Sequence, residues 1–306
     1  MPNLVPIEKE NPKTSLSPLQ SPLQSSFAKL TERLRDPELD ARLLRLEHKN
    51  LNELGYDPFG YHPDFVRQIA PLAQWVHRRY FRTEVFGIEK VPERGRVLLI
   101  ANHSGQLPVD AMVLAISMLI DAPEPRLVRG MVERFVPRLP WASVFMARGG
   151  QILGDPDNCR RLLENEEAVM VFPEGARGIS KPSSQAYKLT EFGYGFMRLA
   201  IETNTPIVPV GIIGAEEQYV RIGNIKPMAK RMNIPAVPMF LFGWAPVPGG
   251  LLPLPVKYRL HFGDPLVFEG SVDDDDAIVG RKVKAVKSAI NGLIQEGLEQ
   301  RQAVFW

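Results

Sequence analysis

Three short oily runs constrain this chain more than any other feature: "RVLLIA" at 96–101, "AVMVF" at 168–172 and "PIVPVGIIG" at 206–214. Stretches of helical character separate them, notably "DAMVLAISMLI" and "NCRRLLENE", and a fourth run, "KYRLHFG", lies at 257–263. This texture begins near residue 84 and predicts an α/β domain. In an open sheet of that class, ligands bind where strands empty into helices, beyond the strands' carboxyl ends. The first run empties into "NHSGQLPVD" and the second into "PEGARG". If those two strands are parallel, both loops reach one edge of the sheet.

Ahead of this domain the chain reads differently. Residues 1–26 are rich in Pro, Ser and Gln, with the near-repeat "SPLQSPLQ". Such a segment buries too little to offset its ordering entropy, so a disordered tail is expected. Residues 27–83 read as an N-terminal helical cap. One helix is expected in "DPELDARLLRLEHKNLNEL", with Leu39, Leu43, Leu44 and Leu46 at helical spacing behind an Asp-Pro start. A second has Phe65, Ile69, Leu72 and Trp75 on one side, with Pro71 kinking it or sitting near its start. Near the other end, Ser271 and four consecutive aspartates suit a helix N-terminus, where the backbone dipole favours negative charge.

Composition excludes several functions. A net charge of +2 gives no support for tracking nucleic-acid phosphates. A single cysteine, Cys159, rules out an internal disulfide and a cysteine-built zinc site, and fits a reducing compartment. The N-terminus lacks the basic-then-apolar order of a secretory signal. No run approaches the roughly 20 apolar residues of a spanning helix, so any membrane contact is expected at the surface. The apolar, proline-punctuated segment 234–256 could lie among lipid headgroups, line an acyl channel, or simply pack over the sheet.

His103 is the first candidate for chemistry. An imidazole is partly neutral near neutral pH, and a carboxylate on one ring nitrogen leaves the other free to take a proton. Asp110 could be that partner if Gly105 and Pro108 fold the loop back; the alternative is a histidine bonded only to loop backbone. In "FPEGARG", the glycines permit close backbone approach and positive φ, while the Arg177 fork matches phosphate oxygens. Equally, Glu174 and Arg177 could pair and brace the turn. Arg148 in "MARGGQ" is another candidate for a phosphate or CoA contact. Ser104 beside His103 suggests a nucleophile, but sequence neighbours rarely face one another. His48, His62, His77 and His261 are isolated. No nucleophile elbow, metalloprotease motif or phosphate-binding Walker loop is present.

In order and spacing, "NHSGQLPVD", "FPEGARG" and "TPIVPVGI" resemble the glycerolipid acyltransferases, the lysophospholipid family that includes the 1-acylglycerol-3-phosphate acyltransferases. The resemblance covers about 84–295. It implies a mixed, mostly parallel central sheet flanked by helices, with residues 84–306 as the acyltransferase domain. It also implies transfer of a fatty acyl group from acyl-CoA or acyl carrier protein to a hydroxyl of a lipid acceptor. His103 would be the base and Asp110 its orienting partner, while Glu174, Gly175 and Arg177 would match the block associated with the acceptor's phosphate. Neither metal nor bound cofactor is implied, and the setting would be cytoplasmic, on the inner face of a membrane. Two departures stand out. Six residues rather than four separate His103 from Asp110, and Pro156 stands where relatives carry an arginine, so Arg148, Arg160 or Arg161 would have to substitute. A non-catalytic lipid binder and a thioester hydrolase using the same base remain the competing readings.

Overall fold

A computed structural model of the chain describes residues 22–305, apart from 105–107, 135–141, 176–177, 179–180, 182, 220, 225–230, 232–237 and 241–251. Seven strands form one sheet: β1 Glu84–Phe86, β2 Val97–Ala101, β3 Val128–Val132, β4 Ile152–Leu153, β5 Ala168–Val171, β6 Ile207–Ile213 and β9 Arg259–Phe262. Their spatial order is β1-β9-β6-β2-β5-β3-β4. Neighbours run parallel except where β9 lies antiparallel to β6, which makes the sheet mixed but mostly parallel. The strands β7 Arg221–Asn224 and β8 Pro238–Phe240 form a separate pair.

The oily runs are oily because both faces of the sheet are covered. Every residue of β2 and β6 is buried, as expected for interior parallel strands under helices on two sides. The sequence pattern missed β1, β3 and β4: β1 and β4 are short edge strands, and β3 carries Arg129 in mid-run.

Helix α4, Val109–Ile120, is apolar nearly all round because it is sandwiched. Val113, Leu114 and Met118 face the sheet, while Ile116, Leu119 and Ile120 meet the N-terminal helices. On the opposite face, α6 Pro156–Glu164, α7 Gly195–Glu202 and α8 Asp276–Gln300 share a second core with β2 and β6. The short α5, Ala142–Arg148, lies between β3 and β4.

Helices also precede the sheet. The first, α1 Pro22–Arg33, takes in the last residues of the expected tail of 1–26; residues 1–21 lie outside the described residues. Helix α2 is only Pro37–Arg45, started by Asp36, whose side chain accepts from the Glu38 amide at 3.0 Å. Leu39, Leu43 and Leu46 are buried, but Leu44 is 75% exposed, since it falls between the core-facing turns. In α3, Pro63–Trp75, the buried face is Val66, Ala70, Pro71 and Gln74, not the expected Phe65, Ile69, Leu72 and Trp75. The helix continues past Pro71 and widens into a π turn at Val76–Tyr80. Of the four aspartates, Asp275 occupies the cap position of α8 without a side-chain cap bond, and Asp274 pairs with Lys282. Ser271 caps a preceding turn instead, accepting from the Asp273 amide.

Candidate functional site

Parallel pairing of β2 with β5 and β6 brings three strand ends to one edge. Asn102 ties two of them together: its side chain donates to the Ile212 carbonyl at 2.9 Å and accepts from the Ile212 amide at 2.7 Å. The next residue, His103, is therefore presented at a braced position.

Asp110, in the first turn of α4, reaches back across the intervening loop. Its Oδ2 lies 2.7 Å from His103 Nδ1 and accepts from the Ser104 amide at 2.9 Å, while Oδ1 accepts from the Ala111 amide. The six-residue spacing thus still closes. The Asp110 side chain is fully buried and that of His103 is 16% exposed. Among the described residues His103 Nε2 makes no hydrogen bond, and the ring stacks on Phe172 at 4.4 Å. The imidazole's pKa is raised above its ordinary value. Burial pulls it down, but the charge and hydrogen bond of Asp110, and then the charge of Glu174, outweigh burial.

Glu174 behaves differently from a ligand-facing acid. It is 1% exposed; Oε1 accepts from the His103 amide at 3.2 Å, and Oε2 accepts from the Thr190 amide and hydroxyl at 2.7 and 2.9 Å. Among the described residues its partners are the His103 backbone, Thr190 and Lys181, whereas Arg177 lies outside them. The glycines of this turn have the expected uses. Gly175 adopts φ +54, and a Cβ at Gly178 would meet the His103 carbonyl oxygen at 2.9 Å.

Other candidates stay apart. Arg148 is exposed at the end of α5, and its carbonyl accepts from the His62 amide. Among the described residues its side chain has no hydrogen bond or ion pair with the His103 cluster. Pro156 starts α6 behind the Asp155 cap, and Arg160 is paired with Glu202 and Asp157, which leaves it poorly placed to replace an arginine at 156. Arg161 is exposed. Ser104 is fully buried, its Oγ without a partner among the described residues, which argues against a nucleophile. Segment 234–256 lies mostly outside the described residues; among those described, no helix is long and apolar enough to cross a membrane. Nor, among them, do three or more His, Cys, Asp or Glu side chains converge as metal ligands.

The residues that sequence reasoning missed are Asn102, Thr190, Lys181 and Glu216. Lys181 sits within reach of both Glu174 and Glu216. No local motif announces these contacts, because they join segments that only the fold brings together.

Comparison with known proteins gives the family and the fold. The acyltransferase family model matches residues 82–213. An uncharacterized protein of Mycobacterium tuberculosis is 33% identical over 266 residues, covering 85% of this chain and 74% of the relative. A human protein described as a DGAT1/2-independent enzyme synthesizing storage lipids is 26% identical over 215 residues, 70% of this chain and 61% of its own length. The crystal structure of the 1-acyl-sn-glycerophosphate (LPA) acyltransferase PlsC from Thermotoga maritima shares the fold. It aligns with TM-score 0.50 at 15% identity, over 92% of this chain and 90% of that one. The chain is an acyltransferase, a member of the acyltransferase family.

Proposed function

We propose that this enzyme moves a fatty acyl group from acyl-CoA or acyl carrier protein to a hydroxyl of a glycerolipid or lysophospholipid, with His103 as general base. One observation carries the reading: Asp110 engages Nδ1 while Nε2, at a partly exposed position, makes no hydrogen bond among the described residues. With Asp110 accepting from Nδ1–H, the neutral ring has its lone pair on Nε2. Nε2 takes the acceptor's hydroxyl proton as that oxygen attacks the thioester carbonyl. The tetrahedral intermediate then collapses, the C–S bond breaks, and the imidazolium gives its proton to the departing thiolate, which frees the thiol and restores the neutral base. A positioned base of this kind contributes about 10²–10⁴ in rate.

We assign Arg177 to a phosphate on the acceptor and place the enzyme on the cytoplasmic face of a membrane, where a lipid acceptor would be met. Thiol release from acyl-CoA and from acyl carrier protein, each with and without candidate acceptors, tests the reading. Acceptor-dependent release supports transfer. Release regardless of acceptor indicates a hydrolase, and none indicates a lipid binder; either result sinks the proposal. Arg177→Ala should weaken a phosphorylated acceptor more than a neutral one.

A further inference from the structure

Behind the His103–Asp110 pair lies a buried ionic cluster that the proposed chemistry does not use. The Lys181 side chain is 3% exposed, and those of Glu174 and Glu216 are 0% and 8% exposed. Lys181 Nζ lies 2.9 Å from Glu216 Oε1 and 3.6 Å from Glu174 Oε2, and donates to the Lys188 carbonyl at 3.2 Å. Glu216 follows β6 and also accepts from the Tyr187 amide at 3.2 Å. The three neighbouring strands β5, β2 and β6 therefore lead into Glu174, His103 and Glu216 at the same edge.

A lysine so deeply buried is tolerable only with close partners, and two carboxylates sharing one cation depend on it in turn. Glu174 also accepts from the His103 amide. We propose that Lys181, held between Glu174 and Glu216, is a positioning residue for His103: it fixes the carboxylate that anchors the His103 backbone and balances negative charge gathered around the ring.

The surroundings of His103 support a charge role as well as a steric one. Among the described residues, the groups acting on the imidazole are Asp110 from α4, Glu174 from the turn after β5, and Lys181. Glu216 and Tyr187 stand behind Lys181, and Tyr258 lies behind Asp110. Asp110 and Glu174 favour the protonated ring, whereas Lys181 opposes it. Losing the lysine charge should therefore keep the imidazole protonated to higher pH, and losing the Glu216 charge should act in the opposite sense.

The inference rests on His103 being the base, so its test has a readout that needs no turnover. Histidine titration by NMR on the full-length protein, with His103→Ala used to assign the signal, follows the ring directly. Lys181→Met should raise the His103 midpoint, Glu216→Gln should lower it, and Lys181→Arg should leave it near the parent value. In the thiol-release assay, Lys181→Met should reduce kcat/KM about tenfold near pH 6 and about threefold or less near pH 9, as the base is recovered. Glu216→Gln keeps the question decidable if Lys181→Met does not fold. An unmoved His103 midpoint in whichever of the two folds overturns the proposal. A parent enzyme with no acceptor-dependent release refutes the transferase reading instead, and leaves the titration result standing.

Discussion

The two edges of the sheet each bury an ionic cluster, and they use it differently. Where the strands begin, Arg129 Nη2 lies 2.7 Å from Asp57, Nη1 lies 2.9 Å from Glu167, and Nε donates to the Gly150 carbonyl at 2.9 Å. Asp57 Oδ1 in turn accepts from the Phe59 and Tyr61 amides. The guanidinium is boxed in, close to the rings of Phe59 and Tyr61. Where the strands end, Asp110, Glu174 and Lys181 are as deeply buried, yet Asp110 bonds a ring whose Nε2 makes no hydrogen bond among the described residues, Glu174 holds that residue's backbone amide and Lys181 lies behind Glu174. Three hydrogen bonds and two aromatic rings make the first cluster a brace, whereas the second surrounds the ring proposed as the base.

That contrast is broken most severely by His103→Ala, expected to lower transfer about 10⁴-fold with little change in melting temperature. Near-normal turnover in the folded variant would remove the mechanism. Asp110→Asn comes next, at about 10³-fold, because an amide can hold the wrong tautomer as readily as the right one. Steady-state thiol release measures both. At the opposite edge, Arg129→Met should destabilise by about 3–5 kcal/mol by stranding the buried Asp57 and the partly buried Glu167. Denaturant unfolding should show that loss while kcat/KM per folded molecule is preserved. A large fall in catalysis without loss of stability would mean that the two edges are not separate.

pH sharpens the same comparison. Because the folded pKa of His103 is raised, turnover should fall as pH drops through that value, above the ordinary imidazole midpoint of about 6.5. The same group adds stability that is fully present below about pH 6.5 and fades as pH rises through the folded value. Activity and this part of the stability therefore run in opposite directions, and Asp110→Asn should flatten the stability component measured by unfolding across that range. Smallest of all is the effect of thiol reagents. Burial pushes the Cys159 thiol up to about 12, so alkylation of the native protein should be slow and leave activity unchanged, as mass spectrometry with a parallel assay would show.

Particular residues show how much could be read from the chain alone. The runs at 97–101, 168–171 and 207–213 were legible because interior strands are apolar on both faces. The Asp36 start of α2 was legible because capping is local. The face of α3 was not, since Phe65 and Trp75 satisfy helical periodicity while Val66, Ala70 and Gln74 meet the core. Glu174 was legible as important, but what it does was not. An acid close to an arginine in sequence proved to hold the backbone of a histidine 71 residues away.

By itself, the order of apolar runs and loop motifs determined the α/β class, the edge at which the loops meet and the pair of residues to watch. All of these depend on burial and spacing within a few residues. Only the tertiary structure decided that Lys181 and Glu216 stand behind that pair and that Arg148, among the described residues, makes no bond to it. Contacts between segments far apart in sequence are set by how strands are ordered across the sheet, and no local pattern carries that order.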